Sequence, residues 1–412
     1  MVERAVKKMV NQKLWSIGGG RELDAAAEEF TVGNERELDA KLVKYDCIAS
    51  IAHAKMLKKI GLLDGRECSA LVAALRKIIG LDAAGKFAVS KGDEDCHTAI
   101  ENFLVAELGE TGKKIHAARS RNDQVLTALR LCYKDEVGEV LSLVSGLSEA
   151  LSDFKRKHGK TPIPGYTHMR KAMPSSVALW AQAFLDALED DESLLSAAAV
   201  LADQCPLGSG AGYGLPLPVD RKLTARLLGF SKVQENPVYV QNSRGKFESS
   251  LVHALTQITF DLNKLATDAV LFSMPELGFF ELPPDLCTGS SIMPHKRNPD
   301  VLELLRAKHW VVVACEFEIK AIASSLPSGY NRDLQLTKEP VFKAFAITKS
   351  CLRVAAAVVS KLGVNVKRCE AAMTSELLSA ERALELAAQG VPFRDAHREI
   401  SWEFDLSGRG KA

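Results

Sequence analysis

Long apolar runs are missing from this 412-residue sequence, and no stretch approaches the roughly 20 apolar residues that a membrane-spanning helix requires. The N-terminal stretch MVERAVKKMVNQKLW likewise lacks the apolar segment of a secretory signal. An excess of charge of one sign is also absent. Lys and Arg total 53 against 52 Asp and Glu, a net charge of +1, which argues against a nucleic-acid surface or a polybasic membrane face. Paired cysteines are absent too. The thiols at 47, 68, 96, 132, 205, 287, 315, 351 and 369 form no CxxC, and no histidine stands at ligand spacing. Reduced cysteines, no structural metal and a cytoplasmic location are therefore expected. No internal repeat, low-complexity tract or flexible linker stands out.

What remains is strongly helical in pattern, and the fold class expected is all-α. The clearest seam runs through Phe247, Leu251, Leu255, Ile258, Leu262, Leu265, Ala269 and Phe272 in steps of four and three. Others follow Val137, Val140, Val144, Leu147, Leu151 and Phe154; Val301, Leu305, Val312, Cys315, Ile319 and Ile322; and Val341, Phe345, Leu352, Ala355 and Val359. A further helix over about 175–203 stops at Cys205-Pro206. At roughly 1.5 Å per residue, such helices reach nearly 40 Å, a length that usually packs against further copies. Breaks divide the chain into three expected domains. Residues 1–105 hold shorter helices separated by glycines at 61, 65, 80, 85 and 92, residues 106–355 hold the long-helix bundle, and residues 356–412 form a small helical end.

The chemistry is expected where helices stop. Thr288-Gly-Ser-Ser-Ile-Met-Pro-His-Lys-Arg-Asn-Pro299 cannot be a continuous helix, with two prolines inside it and a glycine before the serines. The segment offers two hydroxyls, an ammonium and a carboxamide. Together these can activate a base and hold a developing dianion, or they can simply satisfy the backbone of a solvated connector.

This segment resembles the GSSxMPxKxNP loop of the fumarase/aspartase superfamily at every fixed position. The resemblance implies a three-domain helical fold whose central bundle assembles into a tetrameric core, with active sites shared between subunits. It also implies cofactor-free anti elimination that releases fumarate. Ser290 would then be the base, with Lys296 and Asn298 stabilising the doubly charged carboxylate intermediate. A serine is a poor base, so its alkoxide needs loop N–H groups and a nearby cation.

Two further segments resemble the argininosuccinate lyase family within that superfamily. His116-Ala-Ala-Arg-Ser-Arg-Asn-Asp-Gln-Val125 is similar to a motif ending RSRNDQV, which assigns Arg121 and Asn122 to substrate carboxylates. Read without the resemblance, it is a polar helix start. Gly165-Tyr-Thr-His-Met-Arg-Lys-Ala-Met-Pro174 is similar to GYTHLQxAQP. By that match Thr167 contacts substrate and His168 serves the leaving guanidino nitrogen, paired with Glu303. Asp93-Glu-Asp-Cys-His-Thr98 is similar to DEDIHT and implicates Asp95 and His97, although a helix cap with exposed acids reads equally well. Tyr330-Asn-Arg-Asp-Leu-Gln335 and Lys338-Glu-Pro340 are similar to YNRDLQxDKEP, placing Tyr330, Gln335 and Lys338 at the arginine end of the substrate. The Gly210–Arg221 match reads as a structural turn.

Departures accompany the resemblance. Thr337 replaces an acid, Arg170 and Met173 stand for glutamines, and Leu14–Arg21 carries extra residues relative to LWGGRF. Asn242-Ser-Arg-Gly-Lys-Phe247 differs from SDRDF, leaving Arg244 and Lys246 both open for the arginine position. The C-terminal part looks short and ends in a polar tail. The small-molecule substrate expected is argininosuccinate. The competing readings are a sister lyase acting on adenylosuccinate, aspartate or malate, and a catalytically silent helical bundle. Rates, regulation, a biosynthetic or catabolic role, and whether His168 or a water delivers the proton lie beyond sequence.

Overall fold

The structure is a computed structural model and describes residues 24–90 and 92–408. The N-terminal stretch with Leu14–Arg21, and the end of the polar tail, lie outside the described residues. Helices α1 (Ala25–Val32), α2 (Glu35–Ala40), α3 (Val43–Lys59), α4 (Gly65–Ala83) and α5 (Cys96–Leu108) come first. Long helices follow: α6 (Arg121–His158), α7 (Val177–Ala202), α8 (Lys246–Phe272), α9 (Asp300–Ala323) and α10 (Lys338–Lys361). The chain ends in α11 (Ser379–Ala388) and α12 (Phe393–Gly408). The fold is mostly helical, as the periodicity indicates.

Local chemistry explains the boundaries. Asp64 and Glu67 close a reciprocal capping box at the start of α4. Gly61 and Gly85, both at positive φ, follow the ends of α3 and α4. Gly65 stands at a boundary, as the first residue of α4, whereas Gly80 departs from expectation because it lies inside that helix. Leu71, Leu75 and Ile78 on that helix are fully buried, and their packing outweighs the roughly 1 kcal/mol that an interior glycine costs. Gly245 precedes α8 at φ +80°, where a Cβ would stand 2.3 Å from the Ala323 Cβ. Only glycine fits there. Its N–H donates to Glu248 Oε2 at 2.7 Å, which satisfies an otherwise orphan donor of the new helix.

The chain divides into two compact units. The first comprises Met1–Gly138, Leu195–His253 and Cys315–Lys343. Its core includes Ala49, Ala52, Leu131, Cys205, Leu207, Ala225, Leu228 and Phe230. The second comprises Glu139–Leu194, Ala254–Ala314 and Ala344–Ala412. Its core holds an aromatic cluster, in which the Phe280 ring lies edge-on to Phe154, Trp180 and Phe272 at centroid distances of 5.9, 4.9 and 5.4 Å. Trp180 Nε1 donates to Asp268 Oδ2 at 2.9 Å, so the half-buried indole keeps a polar partner.

The second unit also contains an antiparallel hairpin that helical periodicity does not signal. It pairs β1 (Pro162–Thr167) with β2 (Arg170–Ser176), from Pro162 opposite Ser176 to Thr167 opposite Arg170. The two residues of the turn, His168 and Met169, both have positive φ, 51° and 58°. That is the backbone of a type I′ turn, which matches the strand twist but disfavours side chains. The serine segment forms a second, smaller pair, β3 (Thr288–Gly289) with β4 (Arg297–Asn298).

Candidate active site

A cavity of about 460 Å³ lies in the first unit. All seven residues assigned there by motif line it: Asp95, His97, Arg121, Asn122, Tyr330, Gln335 and Lys338. Helix starts supply several of them. Asp95 is the N-cap of α5, and its Oδ1 accepts from the Thr98 N–H at 2.6 Å. The same carboxylate caps a helix and lines the cavity, and none of the three acids of the segment is exposed. Arg121 opens α6, where Ser120 Oγ accepts from the Asn122 N–H at 3.3 Å. Asp123 is buried beneath them and accepts from the Gly208 and Gly210 N–H groups, both at 2.9 Å, which ties the glycine-rich turn to the start of α6.

The cavity wall carries both signs of charge. Lys338 is buried at 3% exposure, and its ammonium pairs with Asp39 at 2.6 Å and with Glu35. It is therefore not a surface lysine. Burial opposes its charge, but Asp39 and Glu35 outweigh that cost and raise its pKa. Arg121 lies 3.4 Å from Asp95 and 3.6 Å from Glu101. Glu94 is pushed up to about 7, first by burial and then by the Asp95 charge. Burial and the neighbouring Arg119 and Arg121 push His116 down to about 4.

His97 is buried at 3% exposure, with Nδ1 2.9 Å from Asp46 Oδ2. Burial alone favours the neutral ring. Asp46, through charge and hydrogen bond, reverses that preference with help from Asp95, and the pKa rises. Asp39, Cys96 and His97 also bring donor atoms within 4.8 Å of one another. Asp39 is engaged by Lys338 and His97 by Asp46, while burial raises the Cys96 thiol well above its ordinary range. That chemistry suits a salt-bridge network, and no metal is assigned to these atoms.

Of the two candidates for the arginine position, Arg244 is the one that faces the cavity. Its side chain lines the cavity at 6% residue exposure and stacks over the Tyr330 ring at 5.0 Å, whereas Lys246 is exposed. Arg244 Nη1 has no hydrogen-bond partner among the described residues. Gln335 Nε2 donates to the Thr31 carbonyl at 3.1 Å.

Glu35, Asp39, Glu94, His116 and Arg332 also line the cavity and were not singled out from sequence. Glu94, His116 and Arg332 lie inside quoted motifs. Glu35 and Asp39 sit one helical turn apart in an acid-rich stretch that reads as a solvated face.

The other motif residues belong to the second unit. Thr167 and His168 stand at the exposed hairpin turn. A histidine held at φ 51° is strained, a condition typical of residues displayed for function. In the serine segment, Ser290 Oγ accepts from the Ile292 and Met293 N–H groups at 3.3 and 3.0 Å. Two donors converging on one hydroxyl oxygen favour its negatively charged form. Lys296 and Glu303 are exposed and Asn298 is half-buried. Thr288 Oγ1 donates to Asp300 Oδ2, which fastens the segment to the start of α9. Among the described residues no hydrogen bond joins His168 to Glu303 or Ser290 to Lys296.

A family model described as lyase matches residues 20–314. The argininosuccinate lyase of Thermotoga neapolitana is 50% identical over 395 residues, covering 96% of this chain and 99% of that protein. The chain belongs to the argininosuccinate lyase family. The argininosuccinate lyase of Sorangium cellulosum is 43% identical over 400 residues, covering 97% of this chain and 92% of that protein. Among solved structures, an EDDS lyase variant with bound fumarate is similar, with a TM-score of 0.79, 23% identity, and coverage of 93% of this chain and 76% of that one. A class II fumarase from Schistosoma mansoni is also similar, with a TM-score of 0.75, 18% identity, and 95% of each chain covered. The fold is thus that of the fumarase/aspartase superfamily, and the chain is a lyase.

Proposed function

We propose that this chain cleaves argininosuccinate to arginine and fumarate by reversible anti elimination. The observation that carries the reading is identity to argininosuccinate lyases over nearly the whole chain. Its physical counterpart is a cavity offering guanidinium and ammonium groups beside carboxylates. Such a wall suits a ligand that is itself a polyanion with a cationic guanidino group. Arg121 and Asn122 would grip succinyl carboxylates, and Tyr330, Gln335 and Lys338 the arginine end.

In this reading the Ser290 alkoxide, stabilised by the loop N–H groups, removes the proton beside a carboxylate. The electron pair of that C–H bond moves into the carboxylate, giving a dianion that Lys296 and Asn298 offset. The pair then returns to form the double bond as the carbon–nitrogen bond breaks. The guanidino nitrogen takes a proton on the side of His168, oriented by Glu303, and Thr167 contacts the substrate. Asp95 and His97 contribute to the wall of the site.

The same proposal includes a homotetramer in the cytoplasm, with each active site drawing on several chains, and the three-domain division at about 105 and 355. Among the described residues no helix is long and apolar enough to cross a membrane. Exposed Trp310 and Phe317, seven residues apart on one side of α9, suit a face covered by another copy.

The discriminating experiment offers purified protein argininosuccinate, adenylosuccinate, aspartate and malate in turn and follows fumarate by absorbance. Release from argininosuccinate alone is expected. Release from another of the four instead would transfer the chain to a sister activity, and release from none would favour the silent bundle.

A further inference from the structure

We propose that Asp46 is a positioning residue of this site, fixing the His97 ring through Nδ1 so that Nε2 presents an N–H to a carboxylate of the bound ligand. The inference rests on the functional reading above for the identity of that ligand, and on the geometry and the charges around the ring for the rest.

Asp46 lies on α3 and His97 in the first turn of α5, with side chains 0% and 2% exposed and 2.9 Å between Oδ2 and Nδ1. The carboxylate is itself locked. Gln124 Nε2 donates to both of its oxygens at 2.9 and 3.0 Å, and Ser50 Oγ lies 3.4 Å from Oδ1. Arg119 Nη1 in turn donates to Ser50 Oγ at 2.8 Å. Three helices and the turn before α6 thus converge on one acid that never reaches the cavity. His97 does reach it, and its Nε2 is buried with no hydrogen-bond partner among the described residues. A buried polar nitrogen without a partner is rare in native structures and calls for an explanation. With Nδ1 committed to Asp46, the remaining nitrogen is the group the ring offers to a ligand.

The charges around the ring decide what that nitrogen carries. Asp46 and Asp95 favour the imidazolium, while Arg121 and burial oppose it, and the acids prevail. Glu94, His116, Asp39 and the Cys96 thiol complete the surroundings. Arg119 stands behind Asp46. A protonated ring donates at both nitrogens, to Asp46 on one side and to the ligand on the other.

Asp46→Asn tests this in the full-length enzyme. The new amide oxygen can still accept from Nδ1, and Gln124 Oε1, now without a partner, can turn to accept from the new amide N–H. The carboxylate charge is lost, so His97 should titrate at lower pH. Expected is about a tenfold rise in the KM for argininosuccinate at pH 8, a kcat changed less than about threefold, and a KM–pH curve displaced to lower pH. On a His97→Gln background, Asp46→Asn should leave that curve where it was. An Asp46→Asn curve that superimposes on the unaltered enzyme's, or a uniform loss of kcat without displacement, overturns the inference.

If Asp46→Asn fails to fold, histidine ring nitrogen NMR on the unaltered enzyme decides, with the His97→Gln spectrum providing the assignment. Protons on both ring nitrogens at pH 7 are expected, and a ring lacking the proton at either nitrogen overturns the inference. Absence of fumarate release by the unaltered enzyme at any pH would instead sink the functional reading, and the NMR result would still decide the role of Asp46.

Discussion

The Met293 N–H donates to Ser290 Oγ at 3.0 Å, inside a segment pinned at its ends by the pairing of Thr288 with Asn298 and Gly289 with Arg297. The hydroxyl is therefore held by its own loop before any ligand arrives. Ser290→Ala deletes the proposed base while leaving the strand pairing intact. Fumarate release should fall by about 10²–10⁴-fold, with argininosuccinate binding and the thermal midpoint nearly unchanged. Turnover within a few-fold of normal would remove Ser290 from the role of base.

Sites assembled from several chains can be complemented. His168→Ala and Ser290→Ala proteins, each inactive alone, should regain part of the turnover after mixing, dissociation and re-assembly, because some sites would draw both intact side chains from different subunits. No recovery at all would mean that each site is built within one chain.

The buried cluster of Lys338 with Glu35 and Asp39 should depend on its cation. Lys338→Met leaves two carboxylates facing each other in a closed space, with an expected loss of about 3–5 kcal/mol in denaturant unfolding. Adding Glu35→Gln and Asp39→Asn should restore much of that loss. A change below about 1 kcal/mol for the single substitution would show that the cluster is better solvated than the structure indicates.

Asp191 in the second unit carries a different electrostatic load. Its Oδ2 has no hydrogen-bond partner among the described residues, and burial, then Asp261 and Asp190, push its pKa up to about 7. A carboxyl raised in the folded state binds protons more tightly there than when unfolded, so stability declines as pH rises from its unfolded pKa through about 7. Asp191→Asn removes that decline. The substitution should raise the thermal midpoint at pH 8 and change it little at pH 4. An equal shift at both pH values would point to packing rather than ionisation.

The helices were legible because burial on a helix imposes a 3.6-residue repeat. Every residue of the seam from Phe247 to Phe272 is buried in the structure. The hairpin at 162–176 was not legible, because its turn uses His168 and Met169 at positive φ without the glycine or asparagine that normally announces it. Gly80 misled in the opposite direction, since tertiary packing carries α4 through it. At the site, motif residues could be named from the chain alone. Glu35, Asp39 and Asp46 could not, because an acid on a helix reads as solvated until a buried Lys338 or His97 is found beside it. Arg244 and Lys246 could not be separated from the chain alone, because burial, which differs between them in the fold, is not written in a polar, glycine-containing stretch.

Everything proposed for the chemistry turns on the serine segment abstracting a proton from the succinyl part of argininosuccinate. The most direct test is a crystal structure of the Ser290→Ala enzyme with argininosuccinate bound. The 288–299 segment is expected to fold over the succinyl group, with the Cβ of residue 290 against the carbon that loses its proton. A ligand whose succinyl group lies against other side chains, with that segment remote from it, would contradict the claim.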